Sequence, residues 1–455
     1  MNPDSLQQTI DSIVSSPAAQ EVLQQSAKAD ASSNTGLVIA IIGLLIFAAH
    51  LFTEIFSRKR IPDVLLLMVI GLVIGPVFGL LKPEALGSVA SVFTTITLVI
   101  ILFESGTELN FNTLLSSIRG TMKLTLINFF VTMIIVALLG LLIKVNILTS
   151  LMLGAILGGT SSAVVIPMVS QLKISQKGGT ILILESAFSD VLCIVFAWAF
   201  MQAIQSGAMN VGRVIGEILS SFILATVIGV IAAILWSYVL ERVRHVKNSI
   251  LTTPAFVFIV YGLNEWLGFS GAIASLAFGI GMANIDYMYN SGLLIKKLFK
   301  TEPAKLNETE KQLFSEVVFL LKTFFFIYIG ISIQLNQLMP ILIGFIITVV
   351  LFAMRILIVK LSVHKESTLP VEDKMFMSGI VPKGLAAAVL ATIPLQKGIA
   401  GGEMIQNIVF AVILFSIVFT SILVPVLEKE NAISRFYKKC FSVKKEPTIT
   451  ELLDE

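Results

Sequence analysis

The sequence predicts an all-α membrane protein of about thirteen transmembrane helices in two corresponding halves. Three observations carry this. The chain is 56% hydrophobic and only 13% charged, whereas soluble domains carry about 25% charged residues; its mean hydropathy is +0.93. Apolar residues gather into runs of spanning length. Basic residues in the loops between those runs alternate from one side to the other.

In order along the chain, residues 1–35 are polar, with a weak helical pattern at Leu6, Ile10, Ile13 and Val14. They lack the basic start and apolar core of a signal peptide, and read as an extracytoplasmic segment. Spans are expected near 36–56, 62–81, 87–105, 118–143, 148–170, 179–203 and 213–240, then near 250–267, 269–284, 314–335, 338–362, 372–395 and 403–427. A basic tail, 428–455, follows.

With the N-terminus outside, the inner loops carry Arg58-Lys59-Arg60, Arg119 and Lys123, Lys173 and Lys177, and Arg242, Arg244 and Lys247. They continue with the lysines of 296–311, with Lys360, Lys365 and Lys374, and with the tail. The outer side holds only Lys28, Lys82, Lys144, Arg213 and Lys397. Positive charge stays in the cytoplasm, which places the C-terminus there and requires an odd number of spans.

Several function classes drop out. A net charge of +3 gives no reason to expect nucleic acid, and two cysteines, Cys193 and Cys440, have no ligand or disulfide spacing. The three histidines, His50, His245 and His364, fall at span ends or in loops. Nothing calls for a cofactor. An intramembrane aspartic protease needs aspartates in two spans, but Asp63 and Asp286 sit at span ends.

Two stretches share a design. GGTSSAVVIP interrupts the fifth span with Gly158, Gly159, Ser161 and Pro167; GIVPKGLAAAVLATIP interrupts the twelfth with Pro382 and Gly384. Paired interrupted helices in corresponding halves mark a transporter binding site, because unwound backbone is tolerated at that depth only inside protein or beside water. A third motif, GLVIGPVFG, spaces Gly71, Gly75 and Gly79 for close helix packing.

Charge inside spans is the sharpest signal. ESAFSDVL places Glu185 and Asp190 in the sixth span, where each carboxylate costs roughly 2.5–3.5 kcal/mol on insertion scales. Five residues apart, they lie about 140° apart around the helix, so they do not share one ligand. Arg355 in LFAMRILIV and Lys383 in the second interruption are the cations available. Pairing Glu185 with Arg355 leaves Asp190 to hold a proton or a small cation; pairing Lys383 with Asp190 makes Asp190 structural. Thr160, Ser161 and Ser162 add hydroxyls beside free carbonyls, an oxygen donor set suited to hard cations. Glu104, in LFESGTELN, ends the third span, and Glu316 and Lys322 read as an interfacial pair.

From about 36 to 427 the chain resembles the NhaP-type and sodium/hydrogen-exchanger branch of the monovalent cation:proton antiporters, through LFESGTELN, GGTSSAVVIP, ESAFSDVL, Arg355 and VPKGLAAAV. The resemblance implies inverted repeats with two crossed broken helices, the NhaA-like antiporter fold. A core of spans 118–203 and 338–427 would move elevator-fashion against a dimerisation scaffold of spans 36–105 and 213–335. The implied setting is a homodimer among the lipids of the cell membrane, serving pH homeostasis. Asp190 would bind Na+ (or Li+ or K+) and H+ in turn, helped by Thr160, Ser186 and Glu104. Glu185 would form a structural salt bridge with Arg355. Ser189 stands where relatives carry Asn or Asp; it cannot ionise, so one cation for one proton is expected. Lys383 replaces an arginine and is a candidate modulator, since a lysine can release its proton. A Kef-type potassium system would carry Gln before the aspartate and a large regulatory domain. A sodium-coupled organic solute carrier would need a roomier cavity, and a passive channel would show no coupling to protons.

Overall fold

The computed structural model describes residues 43–52, 54, 62–81, 87–109, 111–206, 211–245, 249–291, 303–363 and 369–441. The segment 1–35, the basic stretches 58–60 and 296–300, Lys82, Lys247, His364, Lys365 and the tail beyond Phe441 lie outside the described residues. Among the described residues all regular structure is helical. Two compact units divide the chain, Met1–Ile55 and Phe56–Glu455. The first contains the apolar helix α1 (Gly43–Phe52), where His50 Nδ1 donates to the Ile46 carbonyl at 2.9 Å.

The second unit begins with α2 (Asp63–Leu72), α3 (Gly87–Glu108), α4 (Phe111–Leu142), α5 (Ile147–Ile156), α6 (Ser162–Gln171) and α7 (Gln176–Ser206). It continues with α8 (Val211–Arg244), α9 (Thr252–Trp266), α10 (Gly271–Ala283), α11 (Ile285–Ser291) and α12 (Glu308–Ser332). The last elements are α13 (Leu338–Val363), α14 (Val371–Gly379), α15 (Leu385–Gln396), α16 (Gly402–Glu428) and α17 (Ala432–Phe441). Helices α4, α7, α8, α12, α13 and α16 contain stretches long and apolar enough to cross a membrane. Every apolar run singled out in the sequence holds at least one described helix.

Local chemistry fixes the boundaries. Asn307 caps α12 by accepting from Glu310 N at 2.8 Å, and Glu310 Oε2 returns the contact to Asn307 N at 2.8 Å. This reciprocal capping box satisfies two amide donors the helix cannot. Arg244 Nη2 then reaches Glu310 Oε2 at 2.6 Å and ties α8 to the same corner. Within apolar helices, hydroxyls return to their own backbone: Thr348 donates to Gly344 O and Ser378 to Lys374 O, each at 2.8 Å. A polar side chain is thereby satisfied without a partner across the bilayer. Pro76 has no N–H and displaces the normal ladder, so α2 continues as a π-helical stretch over Val73–Val77.

Helices α2, α3, α8, α9, α10 and α12 pack on one another, as do α4–α7 and α13–α16. Glycine seams draw the first group together. A Cβ on Gly71 would overlap the Ile327 carbonyl, and one on Gly330 the Met68 carbonyl, so α2 and α12 meet backbone to backbone. Gly106 and Gly279 do the same for α3 and α10 against Leu276 O and Phe103 O. The GLVIGPVFG ridge is shorter than its spacing suggests. Gly71 and Gly75 pack against α12, while Gly79 has open space and a φ of +64°; it turns the chain out of the helix, which glycine does at little steric cost.

In the second group, Ser175 before α7 and Asp373 in α14 clamp the two halves. Asp373 Oδ1 accepts from Ser175 N at 3.1 Å, and its other oxygen accepts from the Ser175 hydroxyl.

Candidate cation site

The sixth apolar run forms α7, which sets its two carboxylates on different faces. Glu185 is fully buried and takes a two-pronged contact from Arg355, Nη1 to Oε1 and Nη2 to Oε2, both at 2.6 Å. Arg355 Nε donates to Met377 O at 3.0 Å, so one guanidinium joins α7, α13 and α14. Its planar fork suits this bidentate geometry, and pairing is what makes two buried charges tolerable.

Both interruptions are present as unwound backbone. α5 ends at Ile156 and α6 begins at Ser162; α14 ends at Gly379 and α15 begins at Leu385. The two breaks touch where Ser161 N donates to Pro382 O at 2.8 Å. Lys383 Nζ crosses from the second break to Gly159 O in the first at 2.8 Å, and Lys383 N donates to Ser416 Oγ at 2.9 Å. Asn128 Nδ2 holds Gly158 O at 3.3 Å. The free carbonyls left by unwinding are thus partly claimed by fixed donors. Lys383 Nζ thus meets a backbone carbonyl, and among the described residues no ion pair joins it to Asp190. The approach is tight: a Cβ on Gly384 would overlap Ser161 Oγ, and one on Gly159 would sit 2.9 Å from Cys193 Sγ and 3.4 Å from Asp190 Oδ1.

Ser189 is a joint. Its hydroxyl accepts from Thr160 N at 3.1 Å and donates to Ser186 O at 3.0 Å, so α7 grips the first break through the residue preceding Asp190. Ser186 is fully buried, and its hydroxyl turns back to Ile183 O at 2.8 Å. The side-chain oxygens of Thr160 and Ser161 are buried without a hydrogen-bond partner.

Asp190 faces a cavity of about 270 Å³ between α3, α6, α7, α12 and α15. Among the described residues no hydrogen bond or ion pair reaches its carboxylate. Glu104, Ser161 and Ser162 share the cavity wall; Thr160, Ser186 and Ser189 are not on it. Glu104 stands one turn inside α3, which runs on to Glu108 rather than ending at Glu104.

Two ionisable wall residues were not singled out as site residues from the sequence, Glu108 and Lys322. Glu108 follows Glu104 by four positions, the spacing that puts two helix residues on one face, and that signal was available. Lys322 does not pair with Glu316. Six residues apart, the two lie about 120° apart around α12, and Lys322 Nζ instead meets Asp63 Oδ2 of α2 at 3.0 Å.

Residues 37–429 match the sodium/hydrogen exchanger transmembrane family model. The chain belongs to the sodium/hydrogen exchanger family. Together with its apolar helices, this makes the exchanger-family chain a multi-pass membrane protein. It is 24% identical over 395 residues to the K(+)/H(+) antiporter NhaP2 of Shewanella sp. (strain MR-4), a match covering 83% of this chain and 64% of that relative. The Na(+)/H(+) antiporter 1 of Methanocaldococcus jannaschii is 26% identical over 162 residues, covering 35% of this chain and 38% of the relative. The sodium proton antiporter MjNhaP1 from Methanocaldococcus jannaschii, solved at pH 8, superposes with a TM-score of 0.69 at 20% identity. That superposition covers 86% of this chain and 98% of the other. The exchanger-family chain therefore shares that structure's fold.

Proposed function

We propose that this protein is a secondary transporter exchanging a monovalent cation for H+ at Asp190, electroneutrally, one for one. The observation that carries the reading is the unpartnered Asp190 carboxylate on a cavity wall, beside a break whose Thr160 and Ser161 oxygens are buried without a partner. A carboxylate in that setting is better tolerated neutralised, by a proton or by a cation, than bare. Competition for one group is enough to couple the two fluxes. Ser189 cannot carry a second exchangeable charge, and the charge of Glu185 is taken up by Arg355.

Elevator-type alternating access fits the helix packing, with α4–α7 and α13–α16 as the moving core and α2, α3, α8–α10 and α12 as scaffold. Thirteen spans in an NhaA-like arrangement, an outside N-terminus, a cytoplasmic C-terminus and a homodimer complete the proposal. Named relatives divide between K+ and Na+, so the cation is settled by transport, with Na+ as our first expectation.

The test is proton movement in proteoliposomes holding a pH gradient, on adding Na+, Li+ or K+. We expect one or more cations to collapse the gradient with wild-type protein and none with Asp190→Asn. A mutant as active as wild type, or a wild type that no cation activates, would remove the reading.

A further inference from the structure

Lys322 puts an ammonium on the wall of a cavity whose other ionisable side chains are Asp190, Glu104 and Glu108. Its ammonium is drawn aside to Asp63 Oδ2 at 3.0 Å, with both side chains largely buried, 14% and 7% exposed. Asp63 is not on that wall. It is the first residue of α2, and its Oδ1 accepts from Val64 N at 2.9 Å. The ring of Phe319, one turn earlier on α12, lies 5.7 Å from the ammonium. α2 and α12 also meet backbone to backbone at the Gly71–Gly330 seam, apart from this pair.

We infer that Lys322 is an affinity-setting residue, a tethered cation whose restraint by Asp63 determines how strongly the Glu104–Glu108 wall attracts the transported ion. This rests on the exchange reading above. A lysine has a flexible four-carbon stem and a compact charge. Released from Asp63, its ammonium would compensate the wall carboxylates and compete with the entering ion. Removed altogether, it would leave those carboxylates to act unopposed. The two partners of one ion pair should therefore shift cation affinity in opposite directions.

The experiment measures the apparent KM for whichever cation wild type exchanges, at one fixed pH, with thermal melting of each detergent-purified variant as the folding control. Lys322→Gln is expected to lower KM about fivefold and Asp63→Asn to raise it about fivefold, the scale of one unit charge across a partly hydrated site. Lys322→Arg, which keeps the charge, should stay within about twofold of wild type on the same argument. A merely structural pair would lower melting in both variants and move KM the same way or not at all; that result overturns the inference while wild-type exchange still stands. If Asp63→Asn yields no folded protein, Lys322→Gln against Lys322→Arg decides alone: equal KM values overturn the inference, and a lower value for glutamine supports it. A wild type that moves no protons overturns both the exchange reading and this inference.

Discussion

At the scale of single residues, the sixth span separates two uses of one chemical group. Glu185 meets a guanidinium and Asp190 meets space, because five positions on a helix turn them to different faces. Removing the partner from a buried pair leaves an uncompensated charge, a loss of about 3–5 kcal/mol. Arg355→Ala and Glu185→Ala are each expected to give poorly folded protein with strongly lowered melting in detergent. Asp190→Asn should melt near wild type while losing exchange. The Glu185–Arg355 contact was legible in the sequence because few charges fall within spans and an arginine there calls for a carboxylate. The Lys322–Asp63 contact was not. Asp63 lies at a span end, its partner is 259 positions away, and Glu316 is a nearer carboxylate in the sequence.

At the scale of elements, the interruptions were readable because glycine and proline punctuate helices in a way no apolar run conceals. How the two breaks meet was not readable. The Ser161 N to Pro382 O contact and the bridge from Lys383 to Gly159 O depend on chain crossing, which periodicity does not encode. Gly384→Ala tests the crossing: its methyl would overlap Ser161 Oγ. We expect folded protein with exchange abolished or severely reduced in the gradient assay.

The glycine seams test packing instead. Gly330→Val drives side-chain atoms into the Met68 carbonyl and should destabilise by at least about 1–3 kcal/mol, the usual loss on overpacking. Gly262→Ala, on an exposed face of α9 with nothing nearby, should be neutral or stabilise by up to about 1 kcal/mol. Melting curves of the two variants check both signs. The ridge at Gly71 and Gly75 was legible as a packing motif; its partner on α12 was not, because a lone glycine in a phenylalanine-rich helix gives no spacing pattern.

For the whole molecule, the proposed competition for one carboxylate would dictate how exchange responds to pH. On the acid side protons would occupy Asp190 and exclude the cation, so exchange is expected to fall as pH drops. On the alkaline side the returning proton would become scarce, so exchange is expected to fall as pH rises. A bell-shaped profile is expected, and raising the cation concentration should move its acid limb to lower pH, because more cation is then available to displace the proton. An acid limb that ignores cation concentration would contradict the single-site scheme. Composition and the positions of the apolar runs made the membrane class and helix order legible, since the bilayer imposes length and polarity on every segment. The cavity was not legible, because its wall is assembled from five helices far apart in the chain.

The backbone seams between α2 and α12 and between α3 and α10 also bear on how such a chain can diverge. Contacts made by main-chain atoms at glycine ask nothing of the neighbouring side chains on the outer faces. Exposed positions on those helices, Val69, Val92 and Leu320 among them, can then change to suit a thinner, thicker or more fluid membrane. Glu104, carried on α3, keeps its place while the hydrocarbon coat around it drifts.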